Sequence, residues 1–110
     1  MNDAFEERKK ANEEKWAHDE ALHFKVAARR NRLLGLWAAA ELGMSQADAE
    51  DYVKAVMAAQ FHAAGGENVF HKLRADFAAA KLPHSDHAIH RKMEELLALA
   101  ADQIIHEPKH

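Results

Sequence analysis

The chain contains no cysteine, and only two prolines and four glycines occur among its 110 residues. The lack of cysteine excludes disulfide scaffolds, thiol catalysis and cysteine-ligated zinc, and it is compatible with a reducing cytosol. So few glycines and prolines supply too few turns for a protein of many short strands, whereas alanine and charged residues are abundant and favour helices. A chain of this length is expected to form one small domain.

Neither an excess of basic residues nor a long hydrophobic run is present. The formal net charge is −3, whereas a dedicated nucleic-acid-binding protein carries a clear positive excess. The longest apolar run, Leu33–Ala40, is far shorter than the roughly 20 residues that a membrane-spanning helix needs. The first ten residues are polar, so no signal peptide is expected. The sequence therefore predicts neither nucleic-acid binding nor direct insertion into a membrane.

Apolar residues recur at the spacing of an α-helix in four segments, and no segment alternates with the period of a strand. The first segment runs from about residue 21 to residue 42, before Gly43, which suits the left-handed conformation of a helix stop. The second segment follows Ser45, a candidate N-cap, and is expected to end at Gly65–Gly66. The predicted core residues of the two helices are Leu22, Val26, Leu33, Trp37 and Ala40, then Tyr52, Val53, Val56, Met57 and Phe61.

The third helix is expected to end before Pro83, and the fourth to run between the cap Ser85 and Pro108. Four amphipathic helices joined by short loops bury their apolar faces only against each other, so the predicted fold is an all-α four-helix bundle over residues 21–108. Gly35, inside the first helix, either lets a neighbouring helix approach closely near Trp37 or is simply tolerated. The predicted core residues of the last two helices are Val69, Phe70, Leu73, Phe77 and Ala80, then Ile89, Met93, Leu96, Leu97, Ala100 and Ile104.

Residues 1–20 form a charged segment with seven acids, four bases and only two large apolar residues, Phe5 and Trp16. On a helix continued backwards, Phe5, Asn12 and Trp16 would lie about 80° from the apolar face of the first helix. Such a segment has little packing to stabilise it. It is therefore either an N-terminal arm that becomes helical when bound or an ordinary solvated extension of the first helix.

Three cations, Lys25, Arg29 and Arg32, share one side of the first helix, whereas Arg30 points elsewhere. Their stems either cover apolar surface while their charges stay in water, or they bind an anion or an acidic protein. Nucleic acid is the weakest interpretation, because the net charge of −3 on residues 1–20 would repel phosphates. Reversing the charge of Arg29 and Arg32 is expected to spare folding, since both lie on the flank of the apolar face.

Nine histidines raise the alternative of a metal-binding helical bundle, with or without catalytic activity. His84, His87 and His90 would fan over about 120° of a helix, so only neighbouring pairs could share a metal. Glu20–His23 has the spacing of di-iron bundles, which need a second such motif. The two serines are candidate caps, and no glycine-rich phosphate loop occurs, so no enzymatic activity is predicted.

The stretch KWAHDEALHFKVAARRNRLLGLWAAAELG, from Lys15 to Gly43, resembles the signature of the zeta subunit, an ATPase inhibitor, of alphaproteobacterial F-type ATP synthases. Weaker similarity continues through ENVFHKLRADF, at Glu67–Phe77, and the resemblance covers almost the whole chain. It implies a four-helix protein whose N-terminal arm inserts into the catalytic head of the synthase. There the arm blocks rotation in the direction of ATP hydrolysis, as the mitochondrial ATPase inhibitor protein does with a different fold.

The resemblance implies a regulatory binding protein without a cofactor, monomeric when free, in the cytoplasm and held at the inner membrane through the synthase. The arm corresponds to residues 1–20 and the bundle to residues 21–108. The chain departs from the family pattern at Asn12, where an aromatic residue is expected. The predicted partner-binding residues are Phe5, Arg8, Asn12 and Trp16 in the arm, and Lys25, Arg29 and Arg32 on the first helix.

Overall fold

The computed structural model of the chain describes residues 20–60 and 67–107. These residues form four helices and no strand: α1 (Glu20–Glu41), α2 (Gln46–Ala59), α3 (Glu67–Ala79) and α4 (Asp86–His106). Helix α1 packs against α2 and α4, and α3 contacts both α2 and α4. The predicted all-α four-helix bundle is therefore confirmed, while the arm residues Phe5, Arg8, Asn12 and Trp16 lie outside the described residues, as does Phe61.

Serine side chains begin two of the helices, as the sequence predicts. The hydroxyl of Ser45 accepts a hydrogen bond from the backbone N–H of Asp48 at 3.2 Å, at the start of α2. The hydroxyl of Ser85 accepts one from the backbone N–H of Ala88 at 3.0 Å, at the start of α4. Each serine satisfies a backbone donor that the first turn of a helix leaves without a partner.

Helices α1 and α3 end in the same left-handed turn. Gly43 has a φ of 71°, and the backbone N–H of Met44 donates to the carbonyl of Ala39 at 3.0 Å. This is the Schellman arrangement, for which glycine is favoured because it lacks a Cβ atom. Lys81 takes the corresponding position after α3 with a φ of 59°. Pro83 follows, as predicted, and cannot continue a helix.

The buried residues form a large cluster and a small one at opposite ends of α1. The large cluster joins the C-terminal half of α1 to α2, α3 and the first half of α4. The small cluster joins the N-terminal half of α1 to the C-terminal half of α4, so these two helices run antiparallel. The end of the bundle that follows the predicted arm therefore has the smaller apolar core, which consists of Val26, Ala100 and Ala101, with Leu33, Leu97 and Ile104 packed against it.

The buried surface of α1 is broader than the single predicted face. Leu34 and Asn31 are completely buried although neither was predicted to be, and Ala40 is exposed. Helix α1 lies between two helices, so it buries one side against α2 and another against α4. Apolar periodicity that assumes a single buried face detects only the side that faces α4. Ala80 is also exposed, because it follows the end of α3.

Two further expectations concern the contact between α1 and α2. A Cβ atom on Gly35 would lie 3.1 Å from the Cα atom of Val53, so the glycine does allow a close approach, and α2 is the helix that approaches. Helix α2 ends at Ala59 rather than at Gly65–Gly66. The side chain of Gln60, the C-cap residue of α2, accepts a hydrogen bond from α1, a tertiary contact that apolar periodicity does not reveal.

Candidate partner-binding surface

Four cations lie within two turns of α1, directly after the predicted arm, and we call this set the basic turn: Lys25, Arg29, Arg30 and Arg32. Lys25 and Arg32 are exposed, whereas Arg29 and Arg30 are partly buried. Successive residues of a helix are about 100° apart, so Arg30 lies on a different side of α1 from the other three. The four charges therefore lie on two sides of α1, and their environments differ.

Arg29 is held by the C-terminal end of α4. Its Nη1 donates a hydrogen bond to Oε1 of Gln103 at 2.9 Å, and its Nη2 forms an ion pair with the carboxylate of Glu107. These contacts join α1 to the C-terminal end of α4, and the same two helices form the small apolar cluster. Glu107 compensates the charge of Arg29. The structure thus gives Arg29 a stabilising role within the chain, and its predicted role in binding a partner stays a prediction.

The Arg29 contacts change the expectation that its charge can be reversed without loss of stability. Arg29→Glu removes both bonds and places a second carboxylate beside Glu107, so we expect a loss of about 1–2 kcal/mol in the free energy of unfolding. Arg32→Glu changes an exposed side chain and should stay within about 0.5 kcal/mol of the parent. Urea unfolding of the two variants at low salt measures the difference, and equal stability would show that the Arg29 contacts contribute nothing.

A buried amide joins Arg30 to the end of α2. Asn31 is completely buried, and its Oδ1 accepts a hydrogen bond from Nε of Arg30 at 2.7 Å. Its Nδ2 donates to Oε1 of Gln60 at 3.0 Å. Burial lowers the pKa of the Arg30 guanidinium, because desolvation disfavours its charged form. No ion pair joins Arg30 to an acidic residue in the described part of the chain, and its position made it look unimportant in the sequence.

Two exposed leucines add apolar surface on the helices that carry these contacts. Leu36 of α1 and Leu99 of α4 are each 43% exposed. Leu36 follows Arg32 by one turn of the helix, so an apolar and a basic group lie next to each other on the surface of α1. Mixed surfaces of this kind suit contact with a protein that offers both apolar and acidic groups.

Two of the histidines that suggested a metal site, His84 and His90, pack against aromatic rings. The ring centroids of His84 and Phe77 are 4.6 Å apart, and Nε2 of His84 lies 3.3 Å from Oε1 of Glu41. His90 stacks on Phe70 with the ring centroids 3.9 Å apart. No group of three or more potential metal ligands occurs among the described residues, which exclude the side chain of Glu20. His84 and His90 therefore help to pack the start of α4 against α3.

Comparison with known proteins places these features in a family. No helix within residues 20–60 or 67–107 combines the length and the apolar character needed to span a bilayer. A search of curated proteins gives no significant match. The family model described as ATPase inhibitor subunit zeta matches residues 1–103, a range that contains the predicted arm, the basic turn and nearly all of the four helices. The predicted relationship is thus confirmed, and the chain belongs to the ATPase inhibitor subunit zeta family.

Proposed function

We propose that the chain inhibits ATP hydrolysis by an F-type ATP synthase by inserting residues 1–20 into the catalytic head of that enzyme. The observation that carries the proposal is the family match, which begins at residue 1 and so includes the whole arm. The bundle, residues 21–108, holds the arm at the entrance and does not itself enter. The chain acts as a regulatory protein, monomeric before it binds, and it reaches the membrane only through the synthase.

The composition of the arm supports insertion as a helix. Phe5 and Trp16 are two aromatic residues in an otherwise polar segment, and such anchors are typical of a helix that binds in a groove. Glu20, the first residue that the structure describes, is already helical, so in this proposal the arm continues α1 when it becomes helical on binding. Nineteen helical residues would reach about 28 Å beyond the bundle. Ordering them costs roughly 2–5 kcal/mol, which the contacts of the anchors must exceed.

Charge on the basic turn supports docking against an acidic rim of the head. Lys25 and Arg32 are the exposed members, and neither takes part in the hydrogen bond or the ion pair of Arg29. Lys25→Glu combined with Arg32→Glu should raise the inhibition constant about tenfold at low salt, and the effect should shrink as salt screens the charges. The matched control reverses Lys54 and Arg91, two exposed cations on α2 and α4. An equal effect of the control would assign the loss to net charge alone.

Titration of the protein into a purified F-type ATP synthase tests the proposed function. We expect ATP hydrolysis to fall to a plateau near zero, with ATP synthesis affected much less, because the block acts on rotation in one direction. The same titration with a chain that lacks residues 1–16 should leave hydrolysis unchanged. Full inhibition by the truncated chain would show that the bundle inhibits without the arm, and no inhibition by the parent chain would remove the proposal.

A further inference from the structure

Arg30 is the member of the basic turn whose charge is both partly removed from water and left without an acidic partner in the described part of the chain. Lys25 and Arg32 are exposed, and Arg29 pairs with Glu107. Arg30 is partly buried, and its one hydrogen bond in the described structure goes to a neutral amide. A desolvated charge without a counter-charge destabilises a fold. An acidic group that the described residues do not supply would relieve this cost.

Among the described residues, Asn31 is the one that bonds the side chain of Arg30, and the bond uses Nε alone. Nε donates to the completely buried Asn31, which is itself fixed by Gln60 at the end of α2. Neither Nη atom of Arg30 forms a hydrogen bond or an ion pair with a described residue. Together the two atoms carry four N–H donors. Two parallel N–H groups match the two oxygens of a carboxylate. The site is therefore a guanidinium that is oriented before its ligand arrives.

Helix geometry places Arg30 on the side of the proposed bound arm that carries the anchors. On a helix continued at 100° per residue from α1, Phe5, Asn12 and Trp16 project within about 40° of Arg30. Lys25 and Arg32 project to the opposite side, about 140–160° from Arg30. A groove that receives the anchors of the arm therefore meets α1 at Arg30 rather than at the exposed cations.

We propose that Arg30 binds a carboxylate of an Asp or Glu side chain at the mouth of the groove that receives the arm in the synthase head. This inference rests on the proposed function, which supplies the groove. A protein carboxylate is favoured over a phosphate because it carries a single negative charge, whereas the net charge of −3 on residues 1–20 repels a polyanion. The pairing gives this partly buried charge an acidic partner that the described residues do not provide, and so links the folded bundle to the inserted arm.

Arg30→Gln separates this role from a structural one. The Nε2 of glutamine stands at the position of the arginine Nε, so the variant keeps a donor for Asn31 and loses only the charged end. We expect the thermal midpoint of the free variant to equal or exceed that of the parent. Its dissociation constant for the synthase should rise at least tenfold, whereas Arg91→Gln, at an exposed position on α4, should change neither quantity. Arg30→Lys keeps the positive charge but lacks the two parallel N–H groups. Its dissociation constant for the synthase should therefore lie between those of the parent and Arg30→Gln.

Each other outcome overturns the inference in a recognisable way. Unchanged affinity of Arg30→Gln, with the parent binding normally, removes the carboxylate contact and leaves the proposed function intact. A clear drop in the thermal midpoint of Arg30→Gln shows that Arg30 stabilises the free bundle instead. Stabilisation of the parent by inorganic phosphate, beyond that by sodium chloride of equal ionic strength and absent in Arg30→Gln, assigns the site to a free anion. Failure of the parent to bind the synthase removes the proposed function, and this inference with it.

Discussion

Replacing Phe5 and Trp16 together by alanine should abolish inhibition of ATP hydrolysis and leave the thermal midpoint of the bundle unchanged. The two rings are the only Phe, Tyr or Trp side chains among residues 1–20, so they supply most of the apolar contact that a groove can make with the arm. Loss of two aromatic anchors typically removes about 4 kcal/mol or more of binding free energy, which corresponds to roughly a thousandfold loss of affinity. Inhibition titrations with the purified synthase, together with thermal unfolding, measure both quantities.

A matched control truncates two other side chains of the arm, Lys9 and Lys10, to alanine. These changes leave both rings in place, so the affinity should fall much less than in the aromatic double variant. Inhibition by the Phe5→Ala, Trp16→Ala chain at parental strength would contradict arm insertion through aromatic anchors. A large fall in its thermal midpoint would show instead that the rings pack on the bundle, and that insertion needs a step that releases them.

Leu73→Ala should lower the free energy of unfolding by about 3–5 kcal/mol, the largest effect on stability that we expect from a single truncation. Leu73 is completely buried in the large cluster, where α3 meets the other helices. Removing its side chain forfeits apolar burial and leaves a cavity that close-packed neighbours cannot fill. Leu99→Ala is the matched control, because it makes the same truncation at a side chain that is 43% exposed. It should cost less than about 1 kcal/mol.

Urea unfolding of the two leucine variants gives the comparison directly. Similar losses at both positions would mean that the large cluster does not dominate the stability of the bundle. The residual inhibitory activity of Leu73→Ala is a second readout. No residue of the basic turn belongs to the large cluster, and the proposal assigns inhibition to the arm, so inhibition should persist at temperatures where the variant is still folded.

The number of helices and the starts of α2 and α4 could be predicted from sequence because their causes are local. Ser45 and Ser85 cap the turn that immediately follows them, and Gly43 adopts the left-handed conformation at its own position. The burial of Asn31 could not be predicted in this way. An amide in an apolar helix looks like a surface residue until its partners are known, and Gln60 lies 29 residues further along the chain.

The candidate site shows the same division between local and distant causes. Angular spacing alone places Lys25, Arg29 and Arg32 on one side of α1, so the sequence groups them together. The partners of Arg29 lie at the other end of the chain, since Gln103 is 74 residues away. No spacing within α1 reveals that Arg29 is compensated by α4 while Arg30 is not. Sequence patterns therefore group these cations by their side of the helix but do not distinguish their environments.

The most direct test of arm insertion uses a cross-linker attached at a single introduced cysteine. Because the chain has no cysteine of its own, Asn12→Cys carries the reagent at one known position in the arm. The control places the same reagent at Ala55→Cys, on the exposed side of α2. During inhibited ATP hydrolysis, we expect the reagent at position 12 to cross-link to the catalytic subunits of the head, and the reagent at position 55 to leave them unlabelled. Cross-linking from position 55 but not from position 12, with inhibition retained, would contradict insertion of the arm.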